Sequence, residues 1–192
     1  MMKKKYYFGT CFLAFMLVFA AGQRLDSSDI LALDVGLGPY TATEQPFNSF
    51  PFVKLGFHHD LSRSLVLGGS LAFTRWSDYL NMFGGLYTFY CCRPAIELTC
   101  LFPASPSSVL VPLAGIGFGY NFYHIKNELG NAYPGKLKDH IFLTPYLGAN
   151  FGMGEKARGI AKNVFLSAKL VWNMSHDFSG LHGSLGLNFK IN

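Results

Sequence analysis

The feature that most constrains this chain is a strict alternation of two kinds of residue. Its clearest example is the stretch VPLAGIGFGYNFY near the middle. Here Ile116, Phe118, Tyr120 and Phe122 alternate with Gly115, Gly117, Gly119 and Asn121. In an extended strand successive side chains point to opposite faces, so a period of two makes one bulky apolar face and one small or polar face. The glycines are not a phosphate-binding loop. A dinucleotide fingerprint needs glycine at position 120, where this chain has Tyr120, and no helical pattern follows.

The same alternation recurs about eight times. Residues 30–38 set Leu31, Leu33, Val35 and Leu37 against Ala32, Asp34, Gly36 and Gly38. Residues 50–59 alternate Val53, Leu55 and Phe57 with Lys54, Gly56 and His58. Residues 65–76, 93–102, 141–153, 163–174 and 180–191 repeat the pattern, with Glu97, Lys169 and Lys190 on the small or polar face. No 3.6-residue stripe of comparable length competes with it.

The spacing between runs predicts how they connect. Residues 60–64, 103–108 and 154–162 are compact and rich in turn formers, while 39–49, 77–92 and 126–139 are longer. Short and long connections alternate, as in barrels with short periplasmic turns and longer external loops. The last outer connection, 175–179, is short and departs from the trend.

The N-terminus reads MMKKKYYFGTCFLAFMLVFAAGQ. Lys3–Lys5, an apolar run and the small residues Ala20 and Gly22 have the anatomy of a cleaved secretory signal peptide, residues 1–22. Residues 23–192 then form one domain. The leader takes three of the 16 lysines and arginines, which leaves 13 against 11 acidic side chains, a net of +2. That near balance, with no basic run, argues against nucleic acid. Charged residues are 14% of the chain, against about a quarter in ordinary soluble domains. Past the leader there is no apolar run of the ~18 residues a membrane helix needs. An exported, apolar chain without a helical span is expected to cross a membrane with strands.

Periodicity alone does not say which face is outside. A soluble lipocalin-like carrier would turn the apolar face inward around a lipid. Glycine, however, fills no space, and serves best on the crowded inside of a narrow barrel. The expected fold is therefore all-β: an eight-stranded antiparallel up-and-down transmembrane barrel, apolar outside. Asp34, Lys54, Glu97, Lys169 and Lys190 then point into the lumen. Enclosed charges must be paired or hydrated, so these five are the candidate site, a mixed-sign polar network plugging the lumen.

The segment RPAIELTCLFPASPSSVLVPLAGIGFGYNFY and the C-terminal LHGSLGLNFKIN carry a resemblance. A P-x-I-E-L strand, a short turn and P-x-x-G-I-G-F-G-Y are similar to central hairpins of the small outer-membrane β-barrel superfamily of the OmpA, OmpX and opacity-protein type. The resemblance covers essentially the whole mature chain. It implies location in the outer membrane, contact with outer-membrane lipids including lipopolysaccharide, and handling by the barrel-assembly machinery. It implies a role in envelope integrity or in surface interaction with an extracellular ligand. The final residue is Asn192 rather than an aromatic, a departure from the assembly signal of that family.

Chemical motifs are few. His182 and Ser184 resemble the H-x-S pair of outer-membrane lipid A deacylases, and a His beside a Ser can act as base and nucleophile. Yet Leu185 stands where that family has Asn, no acid follows His182, and both residues fall on the inward face. His58 and His59 are adjacent and so point to opposite faces, which does not suit one metal ion. Cys91, Cys92 and Cys100 are an odd set in an exported chain, with one bridge to Cys100 geometrically open. No catalytic residue, metal or cofactor is assigned. The expected function is non-enzymatic; the alternatives are a lipid-modifying outer-membrane enzyme and a soluble periplasmic carrier.

Overall fold

A computed structural model of the chain describes residues 29–39, 49–80, 85–104, 108–127, 140–152, 163–175 and 179–191. The expected leader, residues 1–22, and most of the expected outer connections lie outside these residues. The described part forms eight strands: β1 (Asp29–Pro39), β2 (Ser49–Ser62), β3 (Leu65–Leu80), β4 (Gly85–Leu101), β5 (Leu110–Asn127), β6 (His140–Phe151), β7 (Val164–Ser175) and β8 (Ser179–Ile191). Each pairs antiparallel with its neighbour in sequence, and β8 pairs back to β1, closing the barrel.

Closure runs through nine cross-strand partners, from Asp29 opposite Ile191 to Leu37 opposite Gly183. It leaves no unpaired sheet edge, which a strand in hydrocarbon could not tolerate.

Burial settles which face is which. Leu147 and Leu185 are 65% and 66% exposed, while Asp34 is fully buried and Glu97 is 4% exposed. Leu166, Leu170 and Trp172 of β7 are likewise exposed, and Ser167 and Asn173 between and beyond them are buried. A soluble carrier would show the reverse, so the lipocalin-like arrangement is excluded by the direction of the side chains. Phe57 is the exception on the apolar face. It shares the parity of exposed Val53 and Leu55 but is 4% exposed. Its cross-strand partner on β3 is Gly69, which has no side chain to crowd the ring.

The strand boundaries differ most in β3 and β4. The expected outer loop 77–92 is largely a continuation of that hairpin, paired in register from Ser77 opposite Thr88 to Leu80 opposite Gly85. The sequence there, SDYLNMFGGLYTFYCC, mixes polar and aromatic residues, which blurs the alternation that marks the lipid-facing part. Tyr87 and Phe89 in this extension point inward and are 1% and 4% exposed. β5 likewise extends through Asn127, so Lys126 belongs to a strand.

The three cysteines on β4 do not suit a bridge. Cys100 stands eight residues along the strand from Cys92, roughly 26 Å at ~3.3 Å per residue, far beyond disulfide reach.

A closed barrel of this kind unfolds as a unit. Detergent-extracted protein is expected to migrate differently on a gel before and after boiling. Identical bands, together with solubility in the absence of detergent, would overturn the membrane-barrel assignment.

Candidate functional site in the barrel lumen

Eight strands enclose a lumen just wide enough for side chains to fill. Three layers fill it here. The layer nearest the short turns is apolar: Val66, Leu101, Val111, Leu113 and Tyr146 cluster together, with Val171 packed against them. The alternation pattern did not single these residues out, because their large side chains lie on the face expected to be small or polar.

The middle layer holds four of the five predicted charges. Lys54 on β2 sits between two carboxylates. Its Nζ donates to Glu97 Oε1 and Oε2 at 3.0 and 3.2 Å and pairs with Asp34 Oδ2 at 3.1 Å. Lys169 on β7 reaches the same Asp34 oxygen at 3.1 Å. Ser70 donates its hydroxyl to Glu97 Oε1. The cluster thus joins β1, β2, β3, β4 and β7 across the lumen. With two cations and two anions it is formally neutral, which is how buried charges are tolerated in a low-dielectric interior.

Lys190 is not in this cluster. It lies opposite Ile30 near the end of β8, partly exposed, and its backbone N–H donates to the carbonyl of Asn163 at 2.7 Å. Its parity is inward, but its position along the strand places it at the rim. Parity can be read from a single strand. Height in the barrel depends on the stagger between strands, which is a tertiary property.

The glycines make room for this layer. A Cβ at Gly186 would overlap Asp34 Oδ1 and Ser167 Oγ. One at Gly68 would overlap the His58 ring, which also lies against Gly56. On β5, Gly115 faces the Tyr146 ring, Gly117 the Thr144 hydroxyl and Gly119 the Phe142 ring.

The layer toward the outer loops is polar and aromatic. Arg93, 7% exposed, donates to Asn173 Oδ1 at 2.7 Å and lies over the Phe142 ring at 4.3 Å. Arg93 was not among the predicted site residues. It stands four residues from Glu97 on the same strand, so its parity could have found it. Asn121 Nδ2 and His140 Nε2 are 3.1 Å apart. His182 and Ser184 also face this region, with the His182 ring edge-on to Phe52 at 5.3 Å. The hydrogen bonds of the described residues include none between His182 and Ser184. His58 points into the lumen, while His59 on the opposite face meets Asp29 Oδ1 at 2.8 Å. The two histidines therefore share no site.

Described residues of the lumen line a small cavity of about 50 Å³ on the outer side and another of about 40 Å³ on the inner side. Lys169 lines both. Each has room for a few waters, since one needs ~10–15 Å³ of such space.

An apolar exterior and a filled, charge-balanced interior on a closed sheet define an integral membrane β-barrel. No family model and no curated protein matches the chain. Solved structures do match. OprG from Pseudomonas aeruginosa superposes with a TM-score of 0.64 at 11% identity, over 89% of this chain and 98% of that one. Neisserial surface protein A gives 0.61 at 12% identity, over 85% and 97%. Ail, the attachment invasion locus protein of Yersinia pestis, gives 0.53 at 12% identity, over 87% and 100%. The chain has the eight-stranded fold of small outer-membrane barrel proteins.

Removing one partner from the middle layer leaves an unbalanced charge. Glu97→Ala is expected to cost about 3–5 kcal/mol of unfolding free energy in lipid vesicles. The double variant Lys54→Met, Glu97→Leu restores neutrality and is expected to recover most of that loss. Equal destabilisation by both variants would show that charge balance is not what holds the layer.

Proposed function

We propose that this protein is a non-enzymatic outer-membrane β-barrel whose lumen is closed, and whose work is done by its wall and its external connections. The observation that carries the reading is the filled lumen. An apolar layer, a neutral ion-pair cluster and an Arg93-centred layer succeed one another along the axis. A conducting channel needs a continuous aqueous path, and these three layers of side chains stand across it. The contribution to the cell is then structural support of the envelope, or surface interaction through the connections that follow β1, β3 and β5. Binding specificity concentrates on such loops when the scaffold is rigid. The similarity to an attachment invasion locus protein is one of fold and supports surface interaction only as a role this scaffold can carry.

The enzymatic reading has weak support. A lipid-cleaving serine needs its base within hydrogen-bond reach and a site open to the bilayer. Ser184 is 7% exposed and faces the lumen, as His182 does.

Two measurements test the proposal. Single molecules in a planar bilayer are expected to show no sustained ion current; steady conductance would sink the closed-lumen reading. Lipid A from expressing cells is expected to keep its mass. A mass shift that tracks expression and disappears in His182→Ala would establish the enzyme instead.

A further inference from the structure

The outer wall carries a boundary that the lumen does not explain. On β3, β4 and β5 the lipid-facing side chains change character at one cross-strand row. Phe73, Cys92 and Phe122 are aligned in register, and the next outward row is Arg75, Tyr90 and His124. The row above that is Ser77, Thr88 and Lys126. Below the boundary the wall is apolar, with Ile96, Ile116 and Phe118 exposed.

The height of the boundary fits a headgroup region. From Leu110 to Phe122 β5 runs roughly 40 Å at ~3.3 Å per residue, which a tilt of ~40° reduces to about 30 Å. A lipid-facing apolar band is ~25 Å tall, so Arg75, His124 and Lys126 stand just beyond its outer edge.

The cluster is confined to one sector. Among the described residues, Arg75 and Lys126 are the lysine and arginine side chains that face outward from the strands, and no carboxylate shares their rows. At the corresponding ends of β1, β7 and β8 the wall instead exposes Leu37, Trp172, Met174 and Leu181. The groups are also organised. Arg75 lies over the Tyr90 ring at 5.6 Å, and the Tyr90 and His124 rings are 6.1 Å apart. Ser77 and Thr88 share a hydrogen bond of 2.9 Å beside them. Adjacent strands are ~4.8 Å apart, so the donors span about 10 Å of wall.

We propose that Arg75, His124 and Lys126 form a binding site for the phosphorylated headgroup of an outer-leaflet glycolipid. Guanidinium and ammonium groups, an imidazole N–H and the exposed Ser77 hydroxyl, braced by buried Thr88, are donors suited to phosphate oxygens. Phe73, Phe118 and Phe122 below them offer apolar surface to the acyl chains of the same molecule. That continuity of cationic and apolar surface selects a membrane lipid rather than a free anion. Tyr90 holds Arg75 across its face and so orients the guanidinium, a positioning role.

This inference rests on the membrane-barrel reading, which the gel shift on boiling tests independently. The experiment uses the folded protein in phosphatidylcholine nanodiscs, with or without bis-phosphorylated lipid A, and reads the thermal unfolding midpoint. Bis-phosphorylated lipid A is expected to raise the midpoint of the wild type. Dephosphorylated lipid A is expected to raise it much less. The triple variant Arg75→Gln, His124→Gln, Lys126→Gln is expected to lose the rise while keeping its gel shift. Arg63→Gln, in the short turn between β2 and β3, is expected to keep it. Should the triple variant fail to fold, Lys126→Gln alone is expected to lose part of the rise. An undiminished rise in the variants that fold, or with dephosphorylated lipid A, would overturn the site. So would an equal rise with inorganic phosphate alone, which would mark a free-anion site.

Discussion

The structure depends on one constraint: the strands must satisfy their backbone hydrogen bonds without water. In hydrocarbon each unsatisfied N–H or C=O costs several kcal/mol, so an open sheet cannot persist there. The pairing of β1 with β8 meets this constraint by removing both edges. Closure with eight strands then fixes the width of the lumen, and that width dictates the rest of the interior. Large side chains take up much of that space, and its walls are too polar to be left dry. Tyr146, Phe142 and the His58 ring enter only because glycines stand opposite them.

The ion-pair cluster follows from the same geometry. Asp34, Lys54, Glu97 and Lys169 come from four strands that are far apart in sequence; Asp34 and Lys169 are separated by 135 residues. In water such pairs contribute little, but enclosed charges are strongly disfavoured unless each finds an opposite partner. Two of each sign make the layer neutral, and the Ser70 hydroxyl adds a further donor to Glu97. The cluster therefore ties the far side of the barrel to the near side. Arg93 is held by an amide oxygen and an aromatic face.

The outer wall is governed by a different solvent. Where the wall meets lipid tails, exposed leucines and isoleucines are the stable choice. Where it meets headgroups, cations and amphipathic rings become favourable. The change at Arg75, Tyr90 and His124 marks that passage on the sector formed by the three longest strands.

The alternation of Ile116, Phe118, Tyr120 and Phe122 with Gly115, Gly117, Gly119 and Asn121 determined strand, face and the need for two solvents. Its recurrence determined the number of strands, because side-chain parity is a local property of extended backbone. The inward direction of Asp34, Lys54, Glu97 and Lys169 was legible from parity together with the glycines that share their face. Their meeting was not, since it depends on tilt and stagger between strands. Stagger puts Lys190 at the rim, brings Arg93 over Phe142, and stacks Val66, Leu101, Val111 and Leu113 into an apolar layer that no single strand announces. It also aligns Arg75, Tyr90 and His124, three residues of ordinary appearance in the sequence, into one row. Periodicity gives each side chain its face; only the closed barrel gives it a height and a neighbour.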